Sequence, residues 1–323
     1  MEWRQKIFKE LTVQNFEDLV HAVFQYQIKH CSVYSDYVLA LNREVPSCIE
    51  DIPFLPISFF KTHKVVSSET FTRGESVFKS SGTQGIRSQH FVKDIMLYEA
   101  SFQKTFEYFI GKPDSFVILG LLPNYMEQGD SSLVYMVSAL MRKSGSQHSK
   151  FILNTPEEIP KLIKAAKKEG RRVLLFGVSY SLLDLIELKI DLSSCVVIET
   201  GGMKGRRKEL SKVEMHKMLC KELNIAKLYS EYGMTELLSQ GYCQEDLVFQ
   251  TPPWLKVFFR DPSDPLTLNN GMKSSGLNII DLANVYSCSF IATDDLGVKR
   301  GGGFEILGRI QNTDIRGCNL LIE

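Results

Sequence analysis

Four short segments carry the residue types that could do chemistry: FKSSGTQG (Phe78–Gly85), YSEYGMTE (Tyr229–Glu236), TDDLG (Thr293–Gly297) and LGRI (Leu307–Ile310). In the first, Gly82 and Gly85 let backbone N–H groups close on a phosphate without a Cβ in the way, and Ser80, Ser81 and Thr83 add hydroxyl donors. The same composition also makes an ordinary turn. In the second, Tyr232 offers an aromatic face for a base, Gly233 a bend, Thr235 a donor to a phosphate oxygen and Glu236 a hard oxygen ligand for Mg²⁺. Thr and Glu at those positions fit a helix start equally well. In the third and fourth, Asp294 and Asp295 could accept the ribose hydroxyls, while Arg309 could bridge ribose and phosphate. Gly201 and Gly202, in TGGMK after the apolar run CVVIET, would let a flat ring or a phosphate approach the chain, or simply end a strand. Each segment alone has a bland explanation; the ordered set reads as nucleotide-handling machinery.

The elements between these segments have to position them. Apolar residues at helical spacing over 14–42 predict helices, and the two prolines of IPFLPISFFK (Ile52–Lys61) predict an extended connector leading to the Ser/Gly segment. From there the chain alternates. Helix-period segments Asp94–Phe109, Ser131–Arg142, Pro156–Lys168, Tyr180–Lys189 and Glu209–Leu223 are interleaved with apolar runs at Phe116–Leu122, Lys150–Leu153, Arg172–Gly177 and Cys195–Thr200. Runs without polar alternation suit strands covered on both faces, hence an α/β fold with a parallel sheet flanked by helices. After about residue 245, KVFFRD, GLNIIDL, SFIATDD and FEILGRI predict a smaller β-rich region.

Composition sets the outer bounds. The 323 residues can bury a large core, and 44% hydrophobic with 24% charged residues is the balance of a globular protein. Lys+Arg and Asp+Glu both total 38, which leaves no electrostatic case for nucleic acid or an anionic membrane as partner. Seven cysteines without a Cys-x-x-Cys pair, and a charged MEWRQKIFKE start in place of an apolar leader, predict a reduced, cytoplasmic protein without a membrane span.

The set SSGTQG, YGMTE, TDDLG and GR resembles the adenylate-forming superfamily, in which ATP activates a carboxylate as an acyl-AMP and pyrophosphate leaves. IPFLPISFFK, LLPNYMEQGDSSLVYMV (Leu121–Val137) and the ending GRIQNTDIRGCNLLIE are similar, more narrowly, to the LuxE-type acyl-protein synthetases of bacterial bioluminescence fatty-acid reductase systems. The resemblance runs from roughly residue 45 to the end. It implies a superfamily large domain: an N-terminal helical segment (1–45), an α/β adenylating core (46–244) and a β-rich C-terminal region of the same domain (245–323). By the same resemblance Ser80, Ser81, Gly82, Thr83 and Gly85 hold the phosphates, and Gly201, Gly202 and Tyr232 surround adenine. Thr235 contacts the α-phosphate, Glu236 the Mg²⁺, Asp295 the ribose and Arg309 the ribose–phosphate region.

The chain departs from the superfamily pattern in two ways. Gln84 replaces a usual threonine, and Ile86-Arg87 stands where Pro-Lys is common, which puts in question the charge that meets departing pyrophosphate. The chain is also expected to lack the mobile lid domain and its catalytic lysine, leaving Mg²⁺ and Arg309 to offset developing charge, with Lys204, Arg206 and Arg207 as a further basic cluster or a solvated face. The resemblance points to Cys318 as the thiol that takes the acyl group, with Arg316 favouring the thiolate; a small packed residue is the plain alternative. The other cysteines, and histidines such as His90 and His148, read as structural or surface residues. The expected activity is transfer of a fatty acyl group through ATP and Mg²⁺ to a protein thiol that feeds an acyl reductase. Ligation to coenzyme A and a degenerate nucleotide-binding subunit of a reductase complex are the alternatives.

Overall fold

A computed structural model describes residues 2–68, 76–81, 86–122, 129–201, 210–244 and 246–310. The chain opens with α1 (Glu2–Gln5), a π-helical turn at Lys6–Glu10, α2 (Phe16–His30) and α3 (Ser32–Ala40). The α2 stripe Phe16, Leu19, Val20, Val23, Phe24 and Gln27 is buried, the spacing that puts one helix face on a core. The segment Ile52–Lys61 is extended at Ile52 and at β1 (Leu55–Pro56), after which α4 (Phe59–Thr62) turns helical. Past the Pro56 ring nothing enforces extended backbone, and Pro56, which has no N–H to donate, sits on a sheet edge.

A hairpin of β2 (Ser76–Lys79) and β3 (Gln89–Val92) flanks the Ser/Gly segment. The α/β alternation follows: α5 (Ile95–Phe109), β4 (Phe116–Leu121), α6 (Ser132–Ser144), β5 (Lys150–Phe151), α7 (Ile159–Lys168), β6 (Arg172–Val178), α8 (Ser179–Asp184), β7 (Val196–Thr200), α9 (Lys212–Glu222), β8 (Leu228–Tyr232) and β9 (Gly241–Cys243). Local signals start the helices: Asp94 caps α5 by accepting from the Met96 and Leu97 amides, and Ser211 with Glu214 forms a capping box on α9. The strands form one sheet in the order β5-β4-β6-β7-β8-β9, parallel except for β9. β4, β7 and β8 are buried throughout, as unbroken apolar runs require when helices cover both faces.

The end of the chain supplies β10 (Leu255–Arg260), β11 (Leu268–Asn269), β12 (Ser275–Asp281), β13 (Phe290–Arg300) and β14 (Gly303–Arg309). They form a second sheet, antiparallel among themselves, whose edge is the N-terminal β1 paired parallel to β13. One core cluster lies between the first sheet's Ile118, Phe176 and Ile198 face, α5, α6, the N-terminal helices and the second sheet. A smaller cluster, with Val117, Leu175 and Val197, lies under α7, α8 and α9. The parallel strands β6, β7 and β8 end together at Val178, Thr200 and Tyr232, and Gly201 and Gly233 follow directly. The carboxyl ends of parallel strands are where open α/β sheets bind ligands.

Candidate active site

The arms of the Ser/Gly segment are locked together on both sides of residues 82–85. The Ser80 amide donates to the Ser88 carbonyl at 3.1 Å, and the Ser88 amide donates to Ser80 Oγ at 3.0 Å. Arg87 turns back over this closure, donating to the Ser80 carbonyl and lying 3.3 Å from an Asp130 carboxylate oxygen. The charge at position 87 is thus already countered by Asp130. Ser81 is exposed, whereas Gly82, Thr83, Gln84 and Gly85 lie outside the described residues.

YGMTE forms no helix; it is a loop between β8 and β9. Its backbone is held from several sides. The His90 Nδ1 atom lies 2.8 Å from the Thr235 carbonyl, and Asn284 Nδ2 donates to the Glu236 carbonyl at 2.7 Å. Buried Asp281 accepts from the Leu238 and Ser239 amides at 2.9 and 3.0 Å. A Cβ at Gly233 would crowd a Glu231 carboxylate oxygen, so a larger residue there would have to displace that side chain. Thr235 is half-buried, and the Glu236 side chain is buried beside the Ser88 hydroxyl. Burial raises the Glu236 carboxyl above its usual range, opposed by the Ser88 hydrogen bond and the charges of Arg309 and Lys61.

The third and fourth segments meet on neighbouring strands, where Asp295 of β13 is paired with Arg309 of β14. Asp295 accepts from Tyr232 Oη at 2.8 Å through one oxygen and from Arg309 Nε at 3.1 Å through the other. The Arg309 side chain is 78% exposed, so most of its guanidinium donors face outward. The Tyr232 ring is buried between Phe249 and Phe304, with centroids 5.8 and 5.5 Å away, and contributes its hydroxyl to this group. Gly201 is exposed with φ +78° and open space in front of its Cα, the conformation glycine adopts without strain. Gly202, Lys204, Arg206 and Arg207 lie outside the described residues.

Beneath Gly201 and Gly233 lies a second polar group that the motifs did not announce. Glu199 is fully buried and accepts from the Ser179 and Ser230 hydroxyls, the latter at 2.8 Å, with Lys212 Nζ at 3.2 Å. Ser179 also donates to the Gly201 carbonyl at 3.3 Å. Despite burial, the His216 hydrogen bond and the Lys212 charge keep the Glu199 carboxyl below its usual range. On the opposite face of the sheet, Glu231 accepts from the Thr200 hydroxyl, and burial pushes its carboxyl up to about 7. The available sequence signal was an acidic residue inside an apolar strand, in CVVIET and LYSEY.

Among the described residues no group of three or more His, Cys, Asp or Glu could cage a metal ion. A single carboxylate beside hydroxyl groups fits Mg²⁺ all the same, because this ion is commonly held by one or two carboxylates together with substrate phosphates and water. Glu236, next to Ser88 and the closed Ser80 hairpin, is the carboxylate placed to offer such a donor.

Over residues 4–323 the sequence matches the model of the family described as acyl-protein synthetase, LuxE. This chain belongs to that family. No curated protein sequence matches it. Among solved structures, a 2-hydroxyisobutyryl-CoA ligase in complex with 2-HIB-AMP and CoA is similar with a TM-score of 0.63 at 12% identity, over 93% of this chain and 68% of the ligase. Apo MatB from Rhodopseudomonas palustris is similar with a TM-score of 0.52 at 18% identity, over 72% of this chain and 47% of MatB. CmiS6 gives a TM-score of 0.51 at 12% identity, over 73% of this chain and 60% of its own. The LuxE-family chain thus has the fold of the large domain of adenylate-forming enzymes, and spans about half the length of MatB. Cys318 lies outside the described residues, and no described helix is long and apolar enough to cross a membrane.

Proposed function

We propose that this protein activates a long-chain fatty acid with Mg-ATP as an acyl-AMP and passes the acyl group, through Cys318, to a partner acyl reductase. The observation that carries the reading is the convergence of segments far apart in the sequence. Ser88 stands beside Glu236, and Tyr232, Asp295 and Arg309 form one hydrogen-bonded group. A substrate carboxylate oxygen attacks the α-phosphorus and pyrophosphate leaves. The Cys318 thiolate then attacks the acyl carbon, the C–O bond to phosphate breaks, and AMP departs. Ser80, Ser81 and Thr235 supply hydroxyl donors to phosphate oxygens. Asp295 holds the ribose hydroxyls, and Arg309, with its outward donors, stabilises the charge that develops on phosphate. Glu236 would hold Mg²⁺, which supplies Lewis-acid polarisation of the phosphate oxygens.

The test is carboxylate-dependent ATP–pyrophosphate exchange across fatty, aromatic and amino acids, followed by incubation with labelled acid. Exchange is expected with fatty acids, and label on the protein is expected to be released by neutral hydroxylamine. Cys318→Ser should keep exchange and lose the label, because serine has no thiolate at neutral pH. Binding of ATP without exchange would leave a nucleotide-binding subunit. Acyl-CoA formation without protein label would make coenzyme A the acceptor.

A further inference from the structure

Two buried acceptors under the YGMTE loop have no hydrogen-bond partner among the described residues: His90 Nε2 and Asn284 Oδ1. Their orientation is fixed by what the other end of each side chain does. His90 is fully buried, with its Nδ1 facing the Thr235 carbonyl, so Nδ1 must carry the hydrogen and Nε2 must present a lone pair. Burial, which depresses the His90 pKa to about 4, keeps the ring in that neutral tautomer. Asn284 points its Nδ2 at the Glu236 carbonyl, which leaves Oδ1 as an acceptor. Both residues line the same small pocket, about 10 Å³ in volume, whose wall also includes Lys93, Asp94, Leu97, Leu238 and Ser287. A volume of this order has room for about one water.

Two partnerless acceptors on residues that line one water-sized space are satisfied together by a molecule with two donors. We propose that a single buried water donates one hydrogen bond to His90 Nε2 and one to Asn284 Oδ1, joining them into a clamp that positions Thr235 and Glu236. The clamp runs from β3, the far arm of the Ser/Gly hairpin, through His90, the water and Asn284 to the turn after β12. It grips two consecutive carbonyls of the loop that carries the proposed α-phosphate donor and Mg²⁺ ligand. His90 and Asn284 are therefore positioning residues, and their kinetic role rests on the adenylation reading above.

The direct test is a high-resolution crystal structure of the whole chain. It should show one ordered solvent peak about 2.7–3.2 Å from both atoms; a cavity without solvent, or either side chain rotated to a protein partner, overturns the proposal. The kinetic test uses His90→Asn, whose amide nitrogen can replace Nδ1 towards Thr235 while nothing replaces Nε2. Loss of one water-mediated bond should lower kcat of pyrophosphate exchange about fivefold with the KM for carboxylate unchanged. In an Asn284→Ala background the same substitution should have no further effect, because the bridge is already broken. An equal loss in both backgrounds overturns the bridge. If the wild type shows no exchange with any acid, the adenylation reading fails, while the solvent peak and the same cycle measured by thermal unfolding still decide the water.

Discussion

Two acidic groups lie close together at the carboxyl ends of the parallel strands, and they differ in what their partners leave free. Glu199 has its charge met by Ser179, Ser230, Lys212 and His216 inside the protein. Asp295 and Glu236 are also buried, but Asp295's charged partner Arg309 is 78% exposed, and Glu236 faces the hairpin that closes the Ser/Gly segment. In the first group the partners tie strands and α9 together and only Lys212, at 29%, is partly exposed. In the second, Ser88 is buried but Arg309 reaches outward. Burial alone therefore does not separate the two groups; the exposure of the charged partner does.

The largest effect is expected from Glu231, the buried carboxylate on the other face of the sheet that carries Glu199. The Glu231 carboxyl is raised to about 7 from 4.5, so the folded state holds a proton that the unfolded chain gives up between these values. Stability should then fall as pH rises from about 4.5 to 7, by as much as ~3 kcal/mol. Glu199, shifted downward, works in the opposite sense, its contribution being lost as pH falls through and below about 4.5. Glu231→Gln should reduce this slope, leaving below pH 6 the part that belongs to Asp281, whose carboxyl burial raises to about 6, and should raise the unfolding free energy at pH 8; urea titrations at several pH values with an unchanged slope would show that Glu231 does not hold a proton in the folded state.

Glu236→Gln tests the outward-facing region. Losing a metal ligand that faces developing charge should lower pyrophosphate exchange about a hundredfold. Because burial already disfavours the Glu236 charge, the neutral side chain should leave thermal stability equal or higher. Near wild-type exchange would end its assignment to Mg²⁺. The smallest of the three effects belongs to Glu199→Ala, which strands the Ser179 and Ser230 hydroxyls and should cost about 2 kcal/mol of folding stability. Exchange by the folded variant should drop less than tenfold. A collapse in exchange with unchanged stability would show that the two regions are not separate.

The αβ alternation was readable because both of its periods are local: apolar runs became β4, β6 and β7, and the predicted helices recur within a few residues of α5, α6, α7 and α9. The strands at the chain's end were readable from their turns. What escaped depended on partners distant in sequence. The β2–β3 hairpin is short, and its register is set by pairs such as Phe78 with His90 across the Ser/Gly segment. β9 has three residues and exists because β8 offers it an edge. In the site, glycines and hydroxyls announced themselves by type, but His90 and Asn284 did not. A histidine in QHFV and an asparagine in LANV become informative only when the fold aims one at the Thr235 carbonyl and the other at the Glu236 carbonyl. Tyr232 shows the converse, since its place in the motif says nothing about Phe249 and Phe304 enclosing its ring.

The pairing of β1 with β13 has a consequence for the protein as it is made. Leu55 lies opposite Ile291, and Gln27 of α2 donates to the carbonyls of Asn284 and Val285, so part of the seat of the first helices lies in residues far along the chain. At a synthesis rate of about 5–20 residues per second, α2 waits on the order of ten seconds or more with Val20, Val23 and Phe24 uncovered. That interval is when the nascent chain is most open to chaperones and to association with other chains, and it closes only as β13 emerges from the ribosome.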